Sequence, residues 1–164
     1  MKQLLSIFAL IFVAQLSYSQ DCEDKNNRAF DFWLGKWLVY QNGEVVGSSI
    51  VRKSLTDCGL DESWKSNTGS PGKSHNFFNE ETKQWEQHWI DDGGWKLDLY
   101  GNPVGENTML LKSKKQKDWE GKDSMHILRW EKLPLGAVVQ TWTVSYDDGK
   151  TWKEIFRGQY EHAY

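Results

Sequence analysis

Six polar or ionisable side chains sit at comparable places in short stretches of alternating sequence: Glu62, His75, Gln87, His126, Gln140 and Glu154. Bulky apolar residues stand two positions away from each. Leu60 and Trp64 flank Glu62, Trp85 and Trp89 flank Gln87, and Val138 and Trp142 flank Gln140. Leu128 follows His126, Phe77 follows His75, and Trp152 and Phe156 bracket Glu154. Side chains alternate across a β-strand, so a spacing of two puts the polar group in the middle of an apolar face. An unsatisfied polar group in a packed interior costs about 1–3 kcal/mol. A recurring set argues instead for a lumen that holds a ligand and water. Glu62, Gln87 and Gln140 are the groups expected to orient that ligand. Trp64, Trp89 and Trp142 are its expected walls, because an indole offers a flat apolar face with one N–H donor. One alternative stays open: ten tryptophans fill a small barrel, and the polar groups satisfy one another.

The same residues frame the catalytic reading. Glu62 and Glu154 would make a general acid and base of the isomerase, cyclase or hydrolase type if both faced the lumen. The chain has no G-x-S-x-G, H-E-x-x-H or P-loop, so no catalytic residue is assigned and binding is favoured over catalysis. No metal or cofactor is expected. The formal net charge is −3 with both signs scattered. That balance gives no basic stripe for a nucleic acid and no electrostatic attraction to an anionic membrane.

The elements that must position these groups are strands. Residues 1–19 read as a secretory signal: Lys2, an apolar run from Leu4 to Leu16, then Ser17-Tyr18-Ser19 before Gln20. The run is shorter than the roughly 20 residues a membrane span needs. The expected product is residues 20–164, one exported, soluble, periplasmic or secreted domain with no membrane insertion after cleavage. Cys22 and Cys58 are the two cysteines, and in an oxidising compartment such a pair reads as a disulfide. A short helix is expected over Asp24–Leu34, capped by Asp24 and ended by Gly35. Turn signals then recur every eight to twelve residues, beginning with Asn42-Gly43. They delimit about ten strands: Lys36–Gln41, Glu44–Leu55, Gly59–Ser66, Lys73–Asn79, Gln84–Asp91, Trp95–Tyr100, Asn107–Ser113, Ser124–Lys132, Ala137–Tyr146 and Thr151–His162. Short links predict an all-β, antiparallel, up-and-down meander that closes into a barrel to hide its edges. The charged Lys114–Lys122 run reads as a solvated loop.

Four blocks carry a resemblance: FDFWLGKW (30–37), CGLDESW (58–64), WEQHWID (85–91) and WTVSYDDGKTW (142–152). In this order they resemble a family of secreted bacterial domains of unassigned function with a lipocalin-like, or nitrobindin-like, calycin-type β-barrel. The resemblance spans about residues 22–161. It implies the barrel and a lumenal pocket, and no established chemistry. Nitrobindin-like barrels can hold haem through a late-strand histidine, which makes His162 the candidate ligand in phase with the inner face. His126 is the next candidate. The glycine-rich opening of haem-binding members is reduced here to Gly35. Ser145, Asp147, Gly149 and Trp152 also fit the Asp-box of sialidase propellers. It occurs once, and reads as a stabilised hairpin.

Overall fold

Asn42 and Gly43 both take positive φ, 52° and 83°, as the tight turn between twisted antiparallel strands requires. They join β1 (Gly35–Gln41) to β2 (Glu44–Lys53) and start a meander that runs to the end of the chain. The computed structural model describes residues 22–67 and 69–163; the expected signal at 1–19 lies outside them. After β2 come β3 (Gly59–Ser66), β4 (Gly72–Asn79), β5 (Gln84–Asp91), β6 (Lys96–Pro103) and β7 (Thr108–Lys112). A two-residue β8 (Gln116–Lys117) precedes β9 (Asp123–Lys132), β10 (Val138–Ser145) and β11 (Lys153–His162).

Every neighbour in the ring is antiparallel. β11 pairs back onto β1 with Trp37 opposite His162, so the sheet closes. β8 pairs only with β9 and stands outside the ring, which leaves a closed barrel of ten strands with no free edge. No helix among the described residues is long and apolar enough to cross a membrane.

The expected helix over Asp24–Leu34 is broken. Lys25–Arg28 forms one turn, α1, with the Asp24 carboxylate accepting from Asn26 N–H at 2.8 Å. Asp31–Trp33 forms a separate 3₁₀ turn. Asn26 and Asn27 are weak helix formers, and tertiary packing overrides what remains of the pattern. Phe30 and Trp33 are fully buried and plug one end of the barrel. Phe30 stacks on Trp33 at 5.1 Å and meets Trp130 and Trp85 edge-on at 5.2 and 5.6 Å. The plug is also hydrogen-bonded: Trp37 Nε1–H donates to Trp33 O, and Trp85 Nε1–H to Asn26 O, each at 2.9 Å.

Cys22 and Cys58 form the expected disulfide, with Cα atoms 4.7 Å apart and 36 positions between them in sequence. It ties the segment before the plug to the start of β3. Closing a loop of this length in the unfolded chain is worth about 3–4 kcal/mol. Replacing both cysteines with serine should therefore lower the urea midpoint of the oxidised protein to that of the reduced one. Equal midpoints for the oxidised wild type and the double variant would show that the bond adds no stability.

Two inside–outside assignments are corrected. On β4 the inward residues are Ser74, Asn76 and Phe78, while His75 is exposed and pairs with Asp61 at 2.6 Å on the outer surface. The sequence between β3 and β4 carries no periodicity that fixes which face β4 presents. On β11, a register shift opposite Trp142 and Thr143 inserts one extra residue. Such a bulge reverses the facing of everything before it. Glu154 therefore points outward and lies 3.5 Å from Arg157, while Phe156, Gly158 and Tyr160 keep the inner face.

Candidate functional site

The end of the barrel opposite the plug is open, and a cavity of about 590 Å³ descends from it. Glu62, Trp64, Gln87, Trp89, Gln140 and Trp142 all line it. Their strands bring them together in two layers. Glu62, Gln87 and Gln140, with Tyr160, form the deeper layer and are each at most 9 % exposed. Trp64, Trp89 and Trp142 lie two residues nearer the open end of the same strands, where they and Phe156 are half-buried.

Two glycines set how closely the walls lie. A Cβ at Gly47 on β2 would stand 2.5 Å from the Trp64 ring, and one at Gly72 on β4 would run into the Trp89 ring. Both indoles rest on bare backbone. A side chain at either glycine would push its tryptophan into the lumen.

The floor is a hydrogen-bonded network across four adjacent strands. Ser49 Oγ–H and Ser74 Oγ–H donate to the two carboxylate oxygens of Glu62 at 2.9 and 3.0 Å. Asn76 Nδ2 donates to Ser74 Oγ at 3.0 Å and to Leu60 O at 3.1 Å. Gln87 Nε2 donates to Asn76 Oδ1 at 2.7 Å. Across the lumen, Tyr160 Oη–H donates to Gln140 Oε1. Burial raises the Glu62 carboxyl from its ordinary 4.5 to about 7, and the two hydroxyl donors only partly oppose this. Burial, with the Glu62 charge adding to it, holds the Tyr160 phenol well above its usual range. Near neutral pH the floor therefore holds one carboxyl balanced between its two forms beside a phenol that stays protonated.

His126 does not line the cavity; it stands behind a wall. Trp142 Nε1–H donates to its Nδ1 at 3.0 Å, so the ring proton sits on Nε2 and is given to Ser124 Oγ at 2.9 Å. The ring is fully buried, and burial lowers its pKa from 6.5 to about 4. It is a neutral acceptor that fixes the Trp142 indole, with neither nitrogen turned to the lumen. His162 keeps the expected phase, yet it lies exposed at the plugged end, stacked on Trp37 at 4.0 Å. Neither histidine reaches the cavity where a haem would have to sit. Among the described residues no group of three or more His, Cys, Asp or Glu is arranged to hold a metal ion.

The Lys114–Lys122 run is more than a solvated loop. Gln116–Lys117 folds back on β9, and Trp95 Nε1–H donates to Lys117 O at 3.0 Å. Asp118 Oδ1 accepts from the N–H groups of Glu120 and Lys122, both at 2.9 Å, which shapes the turn. The hairpin delivers Trp119 to the cavity mouth. There Trp95 and Trp142 lie nearly parallel at 6.1 Å, and Trp119 stands edge-on to them at 5.6 and 6.3 Å. Charged neighbours hide Trp119 from any reading of periodicity. Ser49, Ser74 and Asn76 escaped for a different reason: small polar residues occur on either face of a strand.

The Asp-box residues build a hairpin, not a site. Asp147 accepts from Thr151 N–H at 2.9 Å and Thr151 Oγ1–H at 2.6 Å, which lowers its carboxyl to about 2. Trp152 Nε1–H closes onto Gly149 O at 3.1 Å.

No family model matches the chain, and no curated protein matches its sequence.

Proposed function

We propose that this protein is an exported β-barrel that binds a small, largely apolar or aromatic ligand in its lumen, within the lipocalin-like family its sequence blocks resemble. The observation that carries the reading is the 590 Å³ cavity with tryptophan walls over a polar floor. Ligand sites are typically of this kind: concave, mostly apolar, with a few fixed polar groups. The disulfide supports an oxidising compartment. The partner is a small molecule, with no nucleic acid and no membrane insertion.

Two measurements test this. Protein recovered from an exporting host should show extra mass in a native mass spectrum that disappears on denaturation. An identical mass in both spectra would count against a retained ligand. Glu62→Ala should weaken binding of that ligand at least tenfold, a larger effect than its cost to the fold, where it leaves the buried hydroxyls of Ser49 and Ser74 without their acceptor. A collapse of stability with unchanged affinity in the surviving fraction would make Glu62 structural.

A second reading rests on one feature, the Glu62 carboxyl near 7. That value suits a general acid–base group at neutral pH. With Glu154 outside, the other carboxylate of the cavity is Asp91 at the mouth, which accepts from Trp95 N–H at 2.9 Å. Catalysis would appear as turnover whose pH profile Glu62→Gln abolishes.

A further inference from the structure

The charges around the cavity are of one sign. The chain carries 20 lysines and arginines, yet among the described residues lining the cavity there is no lysine, arginine or histidine. The ionisable lining groups are Glu62 on the floor, Asp91 at the mouth, and Tyr160.

Glu62 is 6 % exposed, and among the described residues its carboxylate accepts hydrogen bonds only from the hydroxyls of Ser49 and Ser74. Each carboxylate oxygen offers two lone-pair sites, so each retains one beyond its serine. A buried carboxylate is ordinarily paired with a cation; here the lumen supplies none, and desolvation raises the group accordingly. The walls add to the same preference. Trp64, Trp89 and Trp142 line the lumen, and an indole face, the negative side of the ring quadrupole, attracts a desolvated cation. An anion placed there would meet the Glu62 charge and the indole walls with no counter-ion.

We propose that the lumen selects a positively charged ligand, an organic amine on an aromatic or apolar body, with Glu62 as its counter-ion and the tryptophan faces as its walls. The proposal rests on the binding reading above and narrows it to one charge class. The ammonium sits on the free acceptor sites of Glu62, and the body fills the layer between Trp64, Trp89 and Trp142. Binding converts Glu62 fully to the carboxylate, so uptake of the amine releases a proton near neutral pH. Ser49, Ser74 and Tyr160 are the polar groups of β2, β4 and β11 that face Glu62. None of them changes charge between pH 5 and 8, so the proton comes from Glu62.

The test is calorimetric titration of the intact, disulfide-bonded protein with naphthylethylamine, naphthylethanol and naphthylacetate, which share one ring system and differ in charge. At pH 8 the amine should bind about tenfold or more tightly than the alcohol, and the acid more weakly than the alcohol. In Glu62→Gln, with its near-UV circular dichroism unchanged, the advantage of the amine should fall below about threefold. In the wild type the amine should also lose affinity from pH 8 to pH 6. An alcohol that binds as tightly as the amine overturns the charge selection and leaves the ligand-binding barrel standing. An amine that keeps its advantage in Glu62→Gln overturns it equally. If none of the three probes binds, the lumen is not a site for such ligands, and the reading beneath the proposal falls with it.

Discussion

Trp130→Ala is expected to remove about 4 kcal/mol of stability, the middle of the usual range for deleting a buried aromatic ring. Trp130 is fully buried and lies where the plug meets the sheet, 5.2 Å from Phe30 and 5.4 Å from Trp33. Alanine there empties the contact on which the N-terminal plug closes the barrel. The surroundings cannot collapse to fill it, because a closed ring of hydrogen-bonded strands fixes the spacing. In a urea titration this should appear as a lower midpoint with an unchanged slope, and in a thermal melt as a fall of roughly 10 °C. Trp130→Phe separates volume from hydrogen bonding. The Trp130 indole N–H has no hydrogen-bond partner among the described residues, so phenylalanine loses volume but no bond, and should cost less than half as much. Trp37→Phe differs, since it would leave Trp33 O without its donor. A loss under about 1 kcal/mol for Trp130→Ala would mean that the plug is not part of the cooperative fold.

The strands were legible because two signals agreed at nearly every boundary. At Gly59–Ser66 and Gln84–Asp91, period-two alternation and flanking turn residues give the observed ends. The six lumen residues followed from alternation alone, since Trp64, Trp89 and Trp142 mark the inner face and the polar groups fall in phase with them. Alternation failed where its phase was interrupted. The extra residue at Ile155 reverses Glu154, and nothing in the sequence Lys153–Arg157 announces a bulge. On β4, His75 and Phe77 looked like an inner pair, yet the cross-strand partners of Glu62 and Trp89 require Ser74 to face inward. Trp119 lay hidden by its charged neighbours, because its place at the mouth depends on a bond from Trp95 to Lys117 across 22 positions. Local pattern reports which residues share a face; it does not report which hairpin folds over the opening.

Glu62→Gln is expected to stabilise the protein at pH 8 by roughly 3 kcal/mol and to change little at pH 4, an inversion of what losing a hydrogen-bonded carboxylate usually does. The sign follows from the direction of the shift. Burial raises this carboxyl from 4.5 to about 7, so the folded protein holds the proton more tightly than the unfolded chain does. The contribution of the group is therefore complete below pH 4.5 and is lost as pH rises through 7. Glutamine keeps an acceptor and a donor for Ser49 and Ser74 and never carries the charge, so the loss disappears. His126 works in the opposite sense: its pKa falls from 6.5 to about 4, so its contribution is complete above pH 6.5 and is lost as pH falls through 4. Between pH 4.5 and 6.5 the two slopes oppose each other in the wild type, and removing Glu62 leaves that of His126 uncovered. Urea midpoints measured at intervals from pH 4 to pH 8 should vary less for the wild type than for Glu62→Gln, whose stability should climb to about pH 6.5 and then level off. The gain at pH 8 is what a carboxylate kept for a ligand would show: the empty barrel carries a charge that weakens it, and a cation in the lumen would restore the loss. A variant no more stable than the wild type at pH 8 would mean that Glu62 is solvated or already paired in the empty protein, and that burial does not hold its proton.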